Sequence, residues 1–327
     1  MAISSGNDTA AIARAAAGLA AGELVAFPPE TVYGLGARAD DDAAVAKIFA
    51  AKGRPSDHPL IVHVNDVAGA RAFASDWPAS AQRLADAFWP GPLTLIVPRR
   101  AGMGSASAAG QASIGLRVPA HPVARALLEA AAALGVAGVS APSANRFGRI
   151  SPTTAAHVRE EFGDALAILD GGDCEMGIES AIVDCTRKVP ALLRPGVLTR
   201  AQLEAVLGAK LREPGDDAPR ASGTLEAHYA PRAKLRLMPA DQLKIALQVL
   251  PKSAVNPVAV YFRTVSPGRS VSASRAMPDN PIAAAHELFA ALRELDASGA
   301  SLIWVETPPD APAWEGVRDR LQRAAAA

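Results

Sequence analysis

The hydrophobic positions along this chain recur with two different periods. Apolar residues three and four positions apart, as at Val45, Ile48 and Phe49, predict helices with one buried face. Short apolar runs, as in residues 24–27 and 93–97, predict strands. The two patterns alternate along most of the chain, and this alternation predicts an α/β fold.

One predicted strand–helix–strand unit, residues 27–64, carries unusual polar residues in both of its loops. Asp41 or Asp42 is expected to cap its helix, and Gly53 is expected to end it in the left-handed conformation typical of helix C-termini. The loop that follows contains the polar residues Lys52, Arg54, Ser56, Asp57 and His58. The helix dipole alone favours cations at this end, so the loop by itself fits either a structural or a binding role.

Polar residues also follow other predicted strands. The strand at 136–141 runs into a loop with Ser143 and Asn145, and open α/β sheets bind ligands beyond the carboxyl ends of their strands. Residues 151–154 are predicted to open a helix, whose free N–H groups could hold phosphate. Arg117 shares a strand face with small residues, which indicates a bound anion, a buried carboxylate partner or exposure at a sheet edge.

From about residue 210 the composition shifts to Pro, Gly, Asp and Glu, which indicates a linker. We predict three parts, namely a first domain (1–210), a linker (211–232) and a small C-terminal α/β domain (233–327). Strand and helix patterns alternate in the last part, so we expect a parallel sheet there. His228 and Tyr229 are expected to dock on another part of the protein, because a linker needs neither an imidazole nor an aromatic ring.

Composition narrows the class of protein. A chain of 327 residues is long enough for two domains. With 33 basic and 33 acidic side chains it has no net charge, so a nucleic-acid contact would need a local basic patch. The two cysteines, Cys174 and Cys185, form no metal-binding or disulfide pattern. The N-terminus does not resemble a signal peptide and no apolar run could span a membrane, so we expect a cytoplasmic protein.

The polar residues at these strand ends are mainly cations and hydroxyls, without the paired carboxylates of many hydrolases. Such a set suits an anionic ligand, and it suits phosphoryl or nucleotidyl transfer, in which the protein positions groups and neutralises charge. The chain has no GxxxxGK[ST] loop, and Gly34 and Gly36 are too close together for a dinucleotide fingerprint. Ser143 also lacks the GxSxG elbow of a serine hydrolase.

Several motifs, in order along the chain, carry a family resemblance: FPPETVYGLG (27–36), KGRPSDHPLIVH (52–63), PGPLT (90–94), LRVP (116–119), APSAN (141–145) and LRPG (193–196). Together they resemble the YrdC-like threonylcarbamoyl-AMP synthases over residues 10–210. The linker motif HYAP (228–231) and the C-terminal part resemble the long form of that family. The resemblance implies an open, twisted YrdC-like sheet with helices, joined by the linker to a small Rossmann-like domain.

This resemblance implies an L-threonylcarbamoyladenylate synthase, a nucleotidyltransferase of tRNA modification. Its substrates would be L-threonine, bicarbonate or CO2, and ATP with Mg²⁺, and its products would be threonylcarbamoyl-AMP and pyrophosphate. The product would pass to a threonylcarbamoyl-transferase complex that modifies tRNA, with tRNA itself as a further expected partner. No protein-bound metal site and no membrane contact are implied.

The resemblance also assigns residues. The expected catalytic tetrad is Lys52, Arg54, Ser143 and Asn145. The expected ATP contacts are Arg54, His58, Ser113, Ser143, Ser151, Arg194, His228 and Tyr229, with the His228-Tyr229 segment as a lid. The expected threonine contacts are Thr31, His63, Arg117, Ala141 and Ser180, with Arg117 pairing the substrate carboxylate.

The chain departs from the family pattern at Pro29, His58, Ala181 and Ser222, none of which belongs to the tetrad. Of these, His58 would make a nucleotide contact pH-dependent. Two alternatives stay open, an RNA-binding protein that uses a basic concave face and a carbamoyl-transfer domain like those of hydrogenase maturation. Steep salt dependence would favour RNA binding, whereas the absence of an acylphosphatase-like or zinc-finger segment speaks against the carbamoyl-transfer domain.

Overall fold

The structure is a computed structural model that describes residues 3–215, 217–250, 257–268 and 271–327. Its backbone contacts divide the chain into two compact units. The first unit comprises Met1–Phe147 and Ser151–Thr224, and the second comprises Gly148–Ile150 and Leu225–Ala327. The segment predicted as a linker is thereby shared between the two units.

The first unit is a mixed α/β structure. Its described strands are β1 (Ile3–Ser5), β2 (Val25–Phe27), β3 (Gly34–Arg38), β4 (Ile61–His63), β5 (Leu93–Pro98), β6 (Ser113–Arg117), β7 (Val139–Ser140), β8 (Ala167–Asp170), β9 (Ala181–Asp184) and β10 (Ala191–Arg194). Its described α-helices are α1 (Thr9–Ala20), α2 (Asp42–Lys52), α3 (Val67–Phe73), α4 (Ala79–Phe88), α5 (Pro122–Ala133), α6 (Ala155–Phe162) and α7 (Arg200–Leu207).

The strands of this unit form one open sheet in the order β1-β8-β2-β3-β7-β4-β6-β5-β9-β10. Strand β7 runs antiparallel to β3 and to β4, whereas β4 and β6 are parallel neighbours. In that parallel pair His63 lies opposite Arg117, so the two side chains share one face at the ends of their strands.

Around β2, helices cover both faces of the sheet, and successive residues of the strand pack into two different cores. Val25 and Phe27 of β2 pack with α1 and α5, whereas Ala26 packs with α2 and α6. Farther along the sheet, a core with α3, α4 and α7 covers one face. On the opposite face Ile61, Ile96, Ile182, Ala191 and Leu193 form a small apolar cluster, with Ala218 and Ala221 of the linker segment packed against it. This face carries His63 and Arg117.

Local sequence signals account for the ends of the helices. Asp41 caps α2 by accepting hydrogen bonds from the amides of Ala43 and Ala44. Gly53 follows α2 at φ 63° in the left-handed region, as predicted. A capping box at Thr199 starts α7 where the sequence predicts a helix.

The structure departs from the sequence predictions in two respects. Strands β1, β3 and β13 (Ala273–Ala276) were not predicted. Helix α6 begins at Ala155 with Thr154 as its cap, so Ser151 precedes the helix instead of opening it. The Gly/Ser/Ala-rich segment at 100–111 has no strand or helix but is held beside β4: Ser107 is buried and its carbonyl accepts from the amide of Leu60 at 2.7 Å.

The second unit is a small α/β structure. Its described strands are β11 (Lys234–Met238), β12 (Val258–Phe262), β13 and β14 (Leu302–Glu306), and its described α-helices are α8 (Ala240–Val249), α9 (Pro281–Ala297) and α10 (Glu315–Ala325). All strand pairs are parallel, in the order β11-β14-β12-β13, which confirms the predicted parallel sheet. Strand β14 is central and apolar because parallel strands are buried on both faces.

Candidate functional site

The last turn of α2 places a buried lysine beside the loop after β7. The Lys52 ammonium donates to the carbonyl oxygens of Ser143, at 2.6 Å, and of Asn145. Burial, and then the nearby charge of Arg54, hold the pKa of Lys52 well below its ordinary value. An anion bound here would favour the charged form of Lys52.

Arg54 and His58 lie around one aromatic ring. The Arg54 guanidinium donates to the carbonyl of Pro59 at 3.1 Å and stacks over Phe147, 5.6 Å from the ring centroid. The His58 ring meets the same phenyl ring edge-on at 5.3 Å between centroids. Burial and the charge of Arg54 lower the pKa of His58. Phe147 was not predicted as part of the site; its only sequence signal is its position two residues after Asn145.

Backbone hydrogen bonds fix the loop that follows β7. The amide of Ala141 donates to Ile61 at 2.9 Å, and the amide of Ala144 donates to Tyr33 at 2.7 Å. Ser143 forms an isolated β-bridge with Gly34. Ser143 is partly exposed, whereas Asn145 is buried. Lys52 therefore binds the loop that carries Ser143 and Asn145, and the charge of Arg54 is near enough to lower the pKa of Lys52.

A second cluster surrounds Arg117 at the end of β6. Its guanidinium donates to the carbonyl of Gly91 at 3.2 Å, to Thr31 Oγ1 at 2.9 Å and to Glu30 Oε1 at 2.5 Å. Of the alternatives that the sequence left open for Arg117, the structure shows the buried carboxylate partner. Glu30 was not among the predicted site residues. The sequence feature that could have identified it is its position as the charged residue of the otherwise uncharged motif at 27–36.

His63 lies next to Arg117 on the same face of the sheet and is only 2% exposed. Within the described part of the chain, neither ring nitrogen has a hydrogen-bond partner. Burial, and then the charge of Arg117, lower the pKa of His63 to about 3. The ring is therefore neutral at neutral pH, with one N–H and one lone pair available to a ligand.

A third cluster joins β5, β9 and β10. Arg194 donates to the carbonyl of Ser180 at 2.9 and 3.1 Å and to the Ser180 hydroxyl at 3.2 Å. That hydroxyl also shares a 2.8 Å hydrogen bond with the buried hydroxyl of Thr94. Arg194 reaches the linker segment as well, donating to the carbonyl of Ser222 at 2.8 Å.

Two predicted nucleotide contacts lie at the margins of these clusters. Ser113, at the start of β6, lines a small cavity together with Thr94, Arg220 and Ser222. Ser151 is fully buried and its hydroxyl donates to Glu179 Oε1 at 2.5 Å. A nucleotide contact by Ser151 would therefore have to be made in competition with that carboxylate.

The remaining predicted contacts, His228 and Tyr229, belong to the second unit. Tyr229 is 1% exposed and adopts a left-handed φ of 62°. Its ring packs against Phe289, at 5.4 Å between centroids, and under Arg320 at 5.5 Å. In this structure the tyrosine thus belongs to the core of the second unit.

The buried cations of the first unit, Lys52, Arg54, Arg117 and Arg194, have protein oxygen atoms as partners. The carbonyl partners of Lys52, Arg54 and Arg194 orient these cations without neutralising them, so the three remain able to bind anions, whereas Arg117 is paired with the Glu30 carboxylate. Among the described residues, no group of three or more His, Cys, Asp or Glu side chains is placed to hold a metal ion. No described helix is long and apolar enough to cross a membrane.

Two family models cover the chain almost completely. The Sua5, YciO and YrdC model, described as "Telomere recombination", matches residues 17–196. The chain belongs to the Sua5/YciO/YrdC family. A second model, described as "Threonylcarbamoyl-AMP synthase, C-terminal domain", matches residues 198–326.

Similar proteins of this family match over nearly their whole length. A threonylcarbamoyl-AMP synthase of Pyrococcus abyssi is 38% identical over 93% of this chain and 90% of its own length. One of Bacillus subtilis is 37% identical over 96% of this chain and 92% of its own length. The crystal structure of P. abyssi Sua5 complexed with L-threonine matches with a TM-score of 0.88 and 35% identity, covering 97% of this chain and 95% of that one. The Sua5-type fold expected from the motifs is confirmed.

Proposed function

We propose that this protein is a threonylcarbamoyl-AMP synthase. It would join L-threonine, bicarbonate or CO2, and ATP into threonylcarbamoyl-AMP and release pyrophosphate. The observation that carries the proposal is the match, across both units, to relatives that bear this name at 37–38% identity. The Sua5 structure that contains L-threonine supports the same substrate.

The reaction needs two bond-forming steps. The free amine of threonine attacks CO2 and, after losing a proton, gives a carbamate anion. A carbamate oxygen then attacks the α-phosphorus of ATP, and the bond from that phosphorus to the pyrophosphate oxygen breaks. In such a displacement the protein mainly positions the reactants and stabilises negative charge.

We assign the threonine side of the site to the cluster around Arg117. Arg117 would pair the substrate carboxylate, with Thr31, His63, Ser180 and the backbone at Ala141 around the rest of the amino acid. This assignment is supported by the unpartnered ring of His63 within the described residues. It is further supported by the polar face that His63 shares with Arg117.

We assign the nucleotide side to the tetrad Lys52, Arg54, Ser143 and Asn145, with His58, Ser113, Ser151, Arg194, His228 and Tyr229 as further contacts. A contact by Tyr229 would require its ring to leave its packing against Phe289. Buried cations near the α-phosphate would stabilise the charge that develops on its oxygens. ATP is expected to arrive as its Mg²⁺ complex, since Mg²⁺ is commonly held by substrate phosphates rather than by a protein cage.

We further propose that the protein acts in the cytoplasm and passes its adenylate to a separate transferase complex that modifies tRNA. The product is a mixed anhydride of a carbamate and AMP, so it must be consumed by a group-transfer reaction before water hydrolyses it. Transfer of the threonylcarbamoyl group to an adenosine amine in tRNA is such a reaction.

The test is pyrophosphate release by the purified protein with ATP, Mg²⁺, bicarbonate and each amino acid in turn, without tRNA. We expect release only when both threonine and bicarbonate are present. A folded sample that binds ATP but releases no pyrophosphate with any amino acid would contradict the proposal. Tight, strongly salt-dependent RNA binding by such a sample would point to the RNA-binding alternative.

A further inference from the structure

Glu30 is a buried carboxylate at the centre of the Arg117 cluster, and the family motifs assign it no role. It is 3% exposed and lies in the segment between β2 and β3. Its Oε1 accepts from Arg117 Nη2 at 2.5 Å, and its Oε2 accepts from the amide of Ala120 at 3.0 Å. A fully buried carboxylate with both oxygens occupied has a fixed orientation.

Glu30 completes a set of contacts that fixes the Arg117 side chain. Each of the three guanidinium nitrogens has one protein partner, namely Gly91, Thr31 and Glu30. Each of the two terminal nitrogens carries a second N–H. Among the described residues, these second N–H groups have no hydrogen-bond partner. Two N–H groups of one guanidinium are the arrangement that binds a carboxylate through both of its oxygens.

The electrostatics of the cluster depend on the same carboxylate. Burial alone would raise the pKa of Glu30, but the charge and hydrogen bond of Arg117 and the amide of Ala120 outweigh it, so the pKa lies below its ordinary value. Glu30 is therefore ionised at neutral pH and forms a neutral pair with Arg117. With the uncharged ring of His63 beside it, the cluster carries no net charge before a substrate binds.

Because the Arg117 cluster carries no net charge, it should bind some anionic groups better than others. An amino acid that binds as a zwitterion can place its carboxylate on Arg117 without adding a net charge to the buried cluster at the binding step. The ammonium group loses its proton afterwards, when the free amine captures CO2. A phosphate dianion at the same place would lie next to the ionised Glu30 and be repelled by it. The cluster thus suits an amino acid better than a nucleotide phosphate, although both carry negative groups.

We propose that Glu30 is a positioning residue that makes the Arg117 cluster specific for the amino-acid substrate. Glu30 holds the guanidinium against Thr31 and compensates its charge, and the two remaining N–H groups of Arg117 bind the substrate carboxylate. This inference rests on the proposed function, since the amino acid is taken to be L-threonine. Glu30 itself does not touch the reacting atoms.

The test compares the kinetic constants of Glu30→Gln with those of the wild type in the pyrophosphate assay. Glutamine keeps the size of the side chain but removes its charge, and its amide nitrogen cannot accept from Ala120. We expect KM for threonine to rise about tenfold or more, as for the loss of a charge-assisted hydrogen bond. KM for ATP should stay within about twofold, because the nucleotide contacts lie on other residues.

Glu306→Gln is the matched control. Glu306 is also a buried carboxylate, with the amides of Arg263, Thr264 and Val265 as its donors, but it lies in the second unit. This variant should lose stability while both KM values stay at the wild-type level. Comparison with Glu306→Gln therefore distinguishes the general effect of losing a buried carboxylate from a specific effect on KM for threonine.

Glu30→Asp provides a second comparison, because it keeps the charge but is too short to reach both Arg117 and Ala120. A rise in KM for threonine smaller than that of Glu30→Gln is expected. Threonine KM within twofold of wild type in both variants, or an equal rise of both KM values, would overturn the proposal. If Glu30→Gln does not fold, an unchanged threonine KM in Glu30→Asp alone overturns it. A wild-type protein without threonine-dependent release would instead refute the proposed function.

Discussion

At the scale of single residues, the site is built from cations whose partners are mostly backbone oxygens. Lys52 is held by two carbonyl groups of the loop after β7, and Arg54 by the carbonyl of Pro59. The second Lys52–carbonyl contact, to Asn145, ties the loop to the end of α2. Hydrogen bonds to the backbone thus fix the orientation of these side chains, and a fixed orientation would reduce the entropy lost on binding the proposed nucleotide.

Arg54→Ala should reduce turnover at least about tenfold, because it would remove the proposed charge-assisted contact to ATP. The measurement is steady-state pyrophosphate release under saturating threonine and bicarbonate. Arg14→Ala is the control, since Arg14 is an exposed arginine on α1 whose guanidinium lies 3.8 Å from the Asp8 carboxylate. Near-normal kinetics of Arg54→Ala would show that the phosphate site has been misplaced.

The buried ring of His63 should make the protein sensitive to acid. Its pKa is about 3 in the folded protein and about 6.5 when unfolded, so only the unfolded chain takes up a proton between these values. Above pH 6.5 the residue has no effect on stability. As the pH falls below 6.5, the free energy of unfolding drops by about 1.4 kcal/mol per unit, or about 5 kcal/mol across the window.

Urea unfolding of the wild type and of His63→Gln at several pH values between 7 and 4 measures this contribution. The difference between the two proteins isolates His63 from the other titrating groups. We expect the wild type to lose stability more steeply than the variant as the pH falls. Parallel curves would contradict the burial of a neutral imidazole at this position.

At the scale of elements, strand β3 decides how closely the sheet packs beside the site. Gly36 lies in its middle, and a Cβ there would meet Phe27 and Val139 side-chain carbons at 2.9 Å and the Val25 carbonyl at 3.1 Å. Gly36 is therefore required for steric reasons, because side chains of the two neighbouring strands, β2 and β7, occupy the position that a Cβ would take. The sequence motif did not predict the strand.

Gly36→Ala should destabilise the protein by about 1–3 kcal/mol, the usual cost of overpacking a core. Gly115→Ala in β6 is the matched control, because there the nearest atom to the added Cβ is 3.4 Å away. The control should lose less than about 0.5 kcal/mol. Equal losses in urea unfolding of the two variants would contradict the packing argument.

At the scale of the whole molecule, the linker segment up to Thr224 belongs with the first unit. Ala218 and Ala221 pack on the apolar cluster of the sheet, and Arg220 exchanges hydrogen bonds with the side chain of Gln111. The carbonyl of Ser222 accepts from Arg194. Residues 218–222 of the linker segment therefore lie next to Ser113 and Arg194, two of the predicted nucleotide contacts.

Deletion of residues 211–327 should impair threonylcarbamoyl-AMP synthesis and lower the stability of the first unit by at least about 1 kcal/mol, because buried contacts and a charge-assisted hydrogen bond are lost. Deletion of residues 225–327 removes His228 and Tyr229 but keeps those contacts, so the first unit should retain its stability. Pyrophosphate release and thermal unfolding of both truncated proteins measure the two effects. Full activity of both would leave the second unit a structural or partner-binding role.

The sequence correctly predicted those structural features, such as helices, strands and helix caps, that depend on residues close together in the chain. The apolar periods predicted most helices and strands, and Asp41, Gly53 and Thr199 marked the ends of helices, because capping involves only residues a few positions apart. Motif order was enough to identify the family. Strands β1, β3 and β13 escaped prediction because their apolar pattern is too short or is interrupted by glycine and polar residues.

The tertiary structure alone decided which polar groups meet. Glu30 and Arg117 are 87 positions apart, and Lys52 and Ser143 are 91 apart, so no local period links them. It also decided that Tyr229 packs on Phe289 and that Ser222 accepts from Arg194. The sequence by itself thus determined the elements and the family, since local backbone preferences and motifs are written in consecutive residues. The partners of the buried charges were decided by the sheet order, because only the folded chain brings distant strand ends within hydrogen-bond distance.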